Sequence, residues 1–110
     1  MAFQFHKDDG DGRHGRYVAT MTERDGTAEI LFTRRGRAHI SADHAEAPPH
    51  LRGTGIAAAL VAHMVADARA TGLKVTPVCT YIALLYRRHP EWHDTLAEPL
   101  PARRPGAGTD

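Results

Sequence analysis

The chain has 110 residues, eight histidines, a single cysteine and a formal net charge of +1 with histidine neutral. That length supports one domain with one modest core. Acidic and basic residues are interleaved, which excludes an electrostatic case for nucleic acid or an anionic membrane as partner, and the lone Cys79 excludes an intrachain disulfide.

A lone thiol points to a reducing compartment, read here as the cytoplasm. The opening MAFQFHKDDGDG turns acidic at once and has no apolar core, unlike a signal peptide. The longest apolar run, Ile56 to Ala68, is interrupted by His63 and Asp67 and is too short to span a bilayer.

Along the chain, DDGDGRHG (8–15) is polar and Gly-rich and reads as a loop. RYVATMT follows as a strand with Tyr17, Ala19 and Met21 on one face. Asp25-Gly26 marks a hairpin turn, AEILFT is the return strand, RRG (34–36) a second turn, and RAHISADHAE (37–46) a third strand. Pro48 and Pro49 end that pattern. From Gly55 the period changes: Ile56, Leu60, Val61, Met64, Val65 and Ala68 recur at helical spacing, and Gly72 supplies a stop. LKVTPVC (73–79) is a short fourth strand. TYIALLYRRH reads as a second helix with Thr80 as N-cap and Pro90 limiting its end. Residues 1–98 form the domain, and the Pro- and Gly-rich 99–110 read as a flexible tail.

The order β-β-β-α-β-α makes the third and fourth strands parallel, with a right-handed crossover through the first helix. If they are neighbours, their carboxyl ends share one edge of the sheet, where ligands bind in such folds. Between strand and helix at that edge lies Leu51-Arg52-Gly53-Thr54-Gly55-Ile56-Ala57. The first turn of a helix leaves N–H groups unpaired, and two glycines let a phosphate or pyrophosphate approach them. The bland alternative is a tight turn. Neither the Walker pattern nor the dinucleotide fingerprint fits the spacing.

Arg52-x-x-Gly55-x-Ala57 resembles the Arg/Gln-x-x-Gly-x-Gly/Ala signature of the GNAT acetyltransferase superfamily. DHAEAPPHLRGTGIA, GLKVTPVC and YRRHPEW, in that order, resemble a small single-domain GNAT-like subfamily over about residues 15–95. Ala45, Ala47 and Thr80 depart from its pattern. The resemblance implies an α/β (α+β) minimal GNAT fold, with an antiparallel meander and a parallel pair joined by the pyrophosphate-loop helix. It also implies acetyl-CoA as cofactor, held by Leu51 to Ala57, and an N–H of Ala47 as donor to the pantetheine or the oxyanion. The activity implied is acetyl transfer to an amine, on a small molecule or a protein; the alternative is a non-catalytic acetyl-CoA or CoA sensor or carrier.

Each chemical step has a candidate at the shared edge. Cys79 ends the fourth strand and is either an acetyl-accepting thiol or a small buried hydrophobe. His44, near the end of the third strand, is a candidate to activate that thiol or take the amine proton. Glu46 shares a face with His44 by period 2 and is the rival base; Asp43 points the other way unless a bulge intervenes. Tyr86 resembles the Tyr that protonates the leaving thiolate in larger GNAT enzymes, and its alternative is an aromatic anchor of the second helix. No Cys/His spacing matches a zinc site, so no metal is expected.

Overall fold

The computed structural model describes residues 2–100. The elements run β1 Phe3–Asp8, β2 His14–Met21, β3 Thr27–Gly36, β4 His39–Glu46, α1 Ile56–Thr71, β5 Lys74–Pro77 and α2 Thr80–Arg88. A 3₁₀ turn, Pro49–Leu51, precedes α1, and another, Pro90–Thr95, follows α2. One five-stranded sheet has the order β1-β2-β3-β4-β5. β1 to β4 form an antiparallel meander, and β5 joins β4 in parallel through α1. This is the α+β architecture expected, with one strand more.

The extra strand is β1, which pairs with β2 from Phe3↔Met21 to Asp8↔Arg16. The Gly-rich stretch read as a loop is the hairpin turn that β1 requires. Its acids are local caps: Asp8 accepts the Gly10 N–H, and Asp11 accepts those of Arg13 and His14. The hydrogen bonds from His14 and Arg13 hold the Asp11 carboxyl down at about 2. RRG is also corrected, because β3 continues through Gly36 and the turn falls at Arg37 and Ala38.

The core lies on one face of the sheet. Tyr17, Ile30, Phe32, Ile40 and Ala42 from the strands meet Leu60, Val61, Met64, Val65 and Ala68 of α1, with Ile82, Leu85 and Tyr86 of α2 in the same cluster. The helical spacing read in the sequence is therefore the buried stripe of α1, each large side chain contributing about 1.5–3 kcal/mol. On the other face of the sheet Leu31 is an exposed apolar side chain. Among the described residues, no helix is long and apolar enough to cross a membrane. The tail expected over 99–110 falls, for 101–110, outside the described residues.

The hairpin between β2 and β3 is tied to the loop that leads into α1. His50 Nε2 lies 2.7 Å from the Asp25 carbonyl, and Arg24 donates to the His50 carbonyl at 3.3 Å. At Gly26 a Cβ would come within 3.0 Å of His50 Nε2 and 3.1 Å of Leu51 Cδ1, so this turn packs closely against the segment that positions the loop.

Candidate functional site

β4 and β5 separate after the Ala42↔Pro77 pair. The Val78 and Cys79 N–H groups both donate to the Ala42 carbonyl, at 2.9 and 3.0 Å, and form the last link between the two strands. Beyond it β5 turns into α2 while β4 continues beside β3. A bulge then changes the parity of β4: Phe32 faces Ala42 but Leu31 faces His44, leaving Asp43 as the extra residue. Asp43 is held there by the hydroxyls of Thr33 and Ser41, at 2.6 and 2.7 Å. After the bulge Ala45 and Ala47 pack toward the core. Strand parity then turns their peptide groups, like that of Ala42, away from β3 and into the gap that β5 has vacated.

Across the gap stands the glycine loop. Gly53 and Gly55 both have φ of +81°, which disfavours any side chain, and a Cβ at either would meet nothing within 4 Å. Thr54 closes the loop on itself, its Oγ1 donating to the Leu51 carbonyl at 2.6 Å and accepting the Ile56 N–H at 3.3 Å. The first helical bond of α1 is Ala59 N–H to Gly55 O, at 2.9 Å. Among the described residues the N–H groups of Gly53, Gly55, Ala57 and Ala58 have no partner. They border a cleft of about 480 Å³ lined by Ala47, Leu51, Arg52, Gly53, Gly55, Ile56, Ala57, Ala58 and Tyr81. All the residues expected to hold a pyrophosphate line this cleft except Thr54, which shapes the loop. Arg52 is exposed at the rim.

The four candidates for chemistry separate. His44, opposite Leu31, lies on the open face of the sheet, with its Nε2 3.7 Å from Glu46. Cys79 packs against the core on the other side. The expected His44–Cys79 pair is therefore not formed, and the bulge at Asp43 is the reason. Cys79, not Thr80, is the N-cap of α2, through its main chain alone. Glu46 does share a face with His44; it sits directly opposite Glu29, which is paired with Arg16 at 3.1 Å. Glu46 also lines a second cleft, about 290 Å³, with Thr27, Glu29, Ala47, Pro48 and Pro49. Ala47 belongs to both clefts.

Tyr86 is fully buried, and its hydroxyl meets Thr95 Oγ1 at 2.8 Å. It stacks edge-on against Trp92, at 5.8 Å between ring centres. The structure does not bring it to the cleft, and its surroundings are those of the aromatic anchor. The tyrosine at the cleft is Tyr81, which the sequence reading passed over. Burial raises its hydroxyl above the ordinary tyrosine value, and the neighbouring Cys79 adds to this. Its signal was position: it sits in the first turn of a helix that begins where a strand ends, at the edge the loop also faces. His89 stacks on Trp92 and His93 bonds the Tyr86 carbonyl, so the two point to separate partners. Among the described residues, no group of three or more His, Cys, Asp or Glu side chains is arranged to hold a metal ion.

No curated protein matches the chain. The family model described as GCN5-related N-acetyl-transferase matches residues 16–95, which runs from within β2 through the turn after α2 and leaves β1 outside. Match, strand order and glycine loop agree: the chain belongs to the GCN5-related N-acetyl-transferase family, whose common chemistry is acyl transfer.

Proposed function

We propose that this chain binds acetyl-CoA in the Ala47–Tyr81 cleft and transfers the acetyl group to an amine. The observation that carries this reading is the unpaired N–H groups of Gly53, Gly55, Ala57 and Ala58 around open space at the start of α1. They suit the diphosphate of the donor, with the helix dipole adding partial positive charge. Arg52 at the rim offers a further cation. The peptide groups of Ala45 and Ala47, turned into the gap, suit the pantetheine arm. The thioester then lies near the end of β4, beside Glu46.

Direct transfer fits this arrangement better than an acetyl-cysteine relay, because Cys79 has no His44 beside it. The amine nitrogen attacks the thioester carbonyl, the C–S bond breaks, and the CoA thiolate leaves. Glu46, directly or through water, accepts the proton that the amine sheds. A primary amine suits a cleft that presents Glu29 and Glu46. The second reading is a carrier that holds acetyl-CoA without turnover. It draws on the same separation of His44 from Cys79, which leaves no paired thiol and base among the described residues. The lone thiol fits a cytoplasmic setting for either.

Thermal unfolding with acetyl-CoA, followed by thiol release from acetyl-CoA across a panel of primary amines, tests both. At a hundredfold excess over Kd, binding adds about 2.7 kcal/mol, on the order of ten degrees for a domain of this size. A shift with amine-dependent thiol release supports the transferase. A shift without release favours the carrier, and no shift ends both.

A further inference from the structure

The three tyrosines differ in what their hydroxyls touch. Tyr17 donates to Asp67 at 2.7 Å, and Tyr86 pairs with Thr95 at 2.8 Å. Both rings are fully buried, and both hydroxyls are satisfied within the fold. Tyr81 is 36% exposed, and among the described residues its hydroxyl has no partner. It is also the α2 residue that lines the cleft, while the rest of the lining comes from Ala47 and the segment Leu51–Ala58. For an aromatic ring on the first turn of a helix, partly covered and lining a cleft, packing alone does not call for a phenol. Phenylalanine would pack as well against the same neighbours.

We propose that Tyr81 is a donor-binding residue, closing the cleft from the α2 side and donating its hydroxyl to the diphosphate of the bound acyl donor. The diphosphate is favoured over the acetyl end because Tyr81 shares its cleft with Gly53, Gly55 and Ala58, whereas Glu46 lines the neighbouring one. The residue then completes from α2 a cradle that α1 alone leaves open on one side. This inference rests on the acetyl-CoA reading above.

The test is calorimetric titration of wild type and Tyr81→Phe with acetyl-CoA and, separately, with ADP as a diphosphate probe. Ligand-free thermal unfolding of both proteins serves as the check on the fold. Phenylalanine keeps the ring, so the ligand-free midpoint stays within a degree or two. Loss of a hydrogen bond to a charged acceptor raises Kd about tenfold, and that rise is expected for both probes. Equal affinities in the two proteins overturn the role of Tyr81 while leaving acetyl-CoA binding intact. A loss confined to acetyl-CoA overturns the diphosphate assignment, because the hydroxyl then reaches another part of the donor. Wild type that binds neither probe overturns the underlying reading together with this one.

Discussion

The two ends of α1 begin from the same device and finish differently. Gly55 and Gly72 flank the helix, both left-handed, with φ of 81° and 76°. At Gly72 the end is closed. The N–H groups of Gly72 and Leu73 both return to the Ala68 carbonyl, and Thr71 Oγ1 covers the Asp67 carbonyl at 2.7 Å. Arg69 in the last turn forks onto Asp94 at 2.7 and 2.8 Å. At Gly55 the end is open: the capping residue has no side chain, Thr54 Oγ1 takes the Ile56 N–H alone, no acid stands in the first turn, and Gly55, Ala57 and Ala58, whose N–H groups are unpaired among the described residues, line the cleft. A helix end left unsatisfied in an otherwise well-paired fold is where an outside partner belongs. The contrast teaches that the useful signal was not glycine, which both ends share, but the absence of a cap.

Closing the open end breaks the comparison most directly. Ala58 is exposed and occupies the third position of α1, where a glutamate reaches back to cover the N–H of the capping residue. Ala58→Glu therefore supplies the missing cap and a charge that repels a diphosphate. The expected outcome is a ligand-free midpoint unchanged or raised, since an acid in the first turn contributes about 0.3–1 kcal/mol. The acetyl-CoA shift disappears. A variant that keeps the full shift removes the loop from the binding site. Gly55→Ala is a poorer probe, because its left-handed backbone would cost stability whatever happened to binding.

The closed end gives the converse result. A Cβ on Gly72 meets nothing within 4 Å, so Gly72→Ala costs only the left-handed backbone penalty, about 1–2 kcal/mol. For a domain of this size that lowers the midpoint by roughly 4–16 °C. Acetyl-CoA affinity measured by titration stays as in wild type, because the closed end has no share in the cleft. Weakened binding in Gly72→Ala would mean that the two ends are coupled through the helix.

Much of this was legible in the sequence where one physical signal dominated. The stripe of α1, the Asp25-Gly26 hairpin and the parallel pair followed from period, turn chemistry and chain order. β1 was missed because FQFHKD is a short edge strand with polar residues on its outer positions, and its turn acids made the following segment read as loop alone. His44 was misplaced because a bulge leaves no mark in sequence, yet it flips every later side chain of β4. Ile82, Leu85 and Tyr86 recur at helical spacing and are all buried, which is the pattern of a core face. Tyr81 lies off that stripe, and being off it is what leaves the ring free to face the cleft.

The smallest expected effect lies where the side of α1 meets β1 and β2. Asp67 accepts hydrogen bonds from Tyr17 at 2.7 Å and Lys7 at 3.1 Å, joining α1 to β1 and β2. Burial pushes its carboxyl up, but the bonds from Tyr17 and Lys7 outweigh that and leave it below the ordinary carboxylate value. The same contact, with burial as the larger cause, pushes the Tyr17 hydroxyl up. A carboxyl depressed in the folded state stabilises the fold above its unfolded value, near 4. That contribution fades as pH falls through the folded value. Asp67→Asn keeps an acceptor for the Tyr17 hydroxyl and loses the charge that Lys7 meets, so the cost at neutral pH is about 1 kcal/mol. Denaturant unfolding of both proteins from pH 7 to pH 2 should show that gap holding down to about pH 5 and closing below pH 4. A gap that stays constant to pH 2 would assign the cost to packing instead of charge. Acetyl-CoA affinity at pH 7 should be the same in both, since Asp67 tethers the helix that carries the open end without facing the cleft.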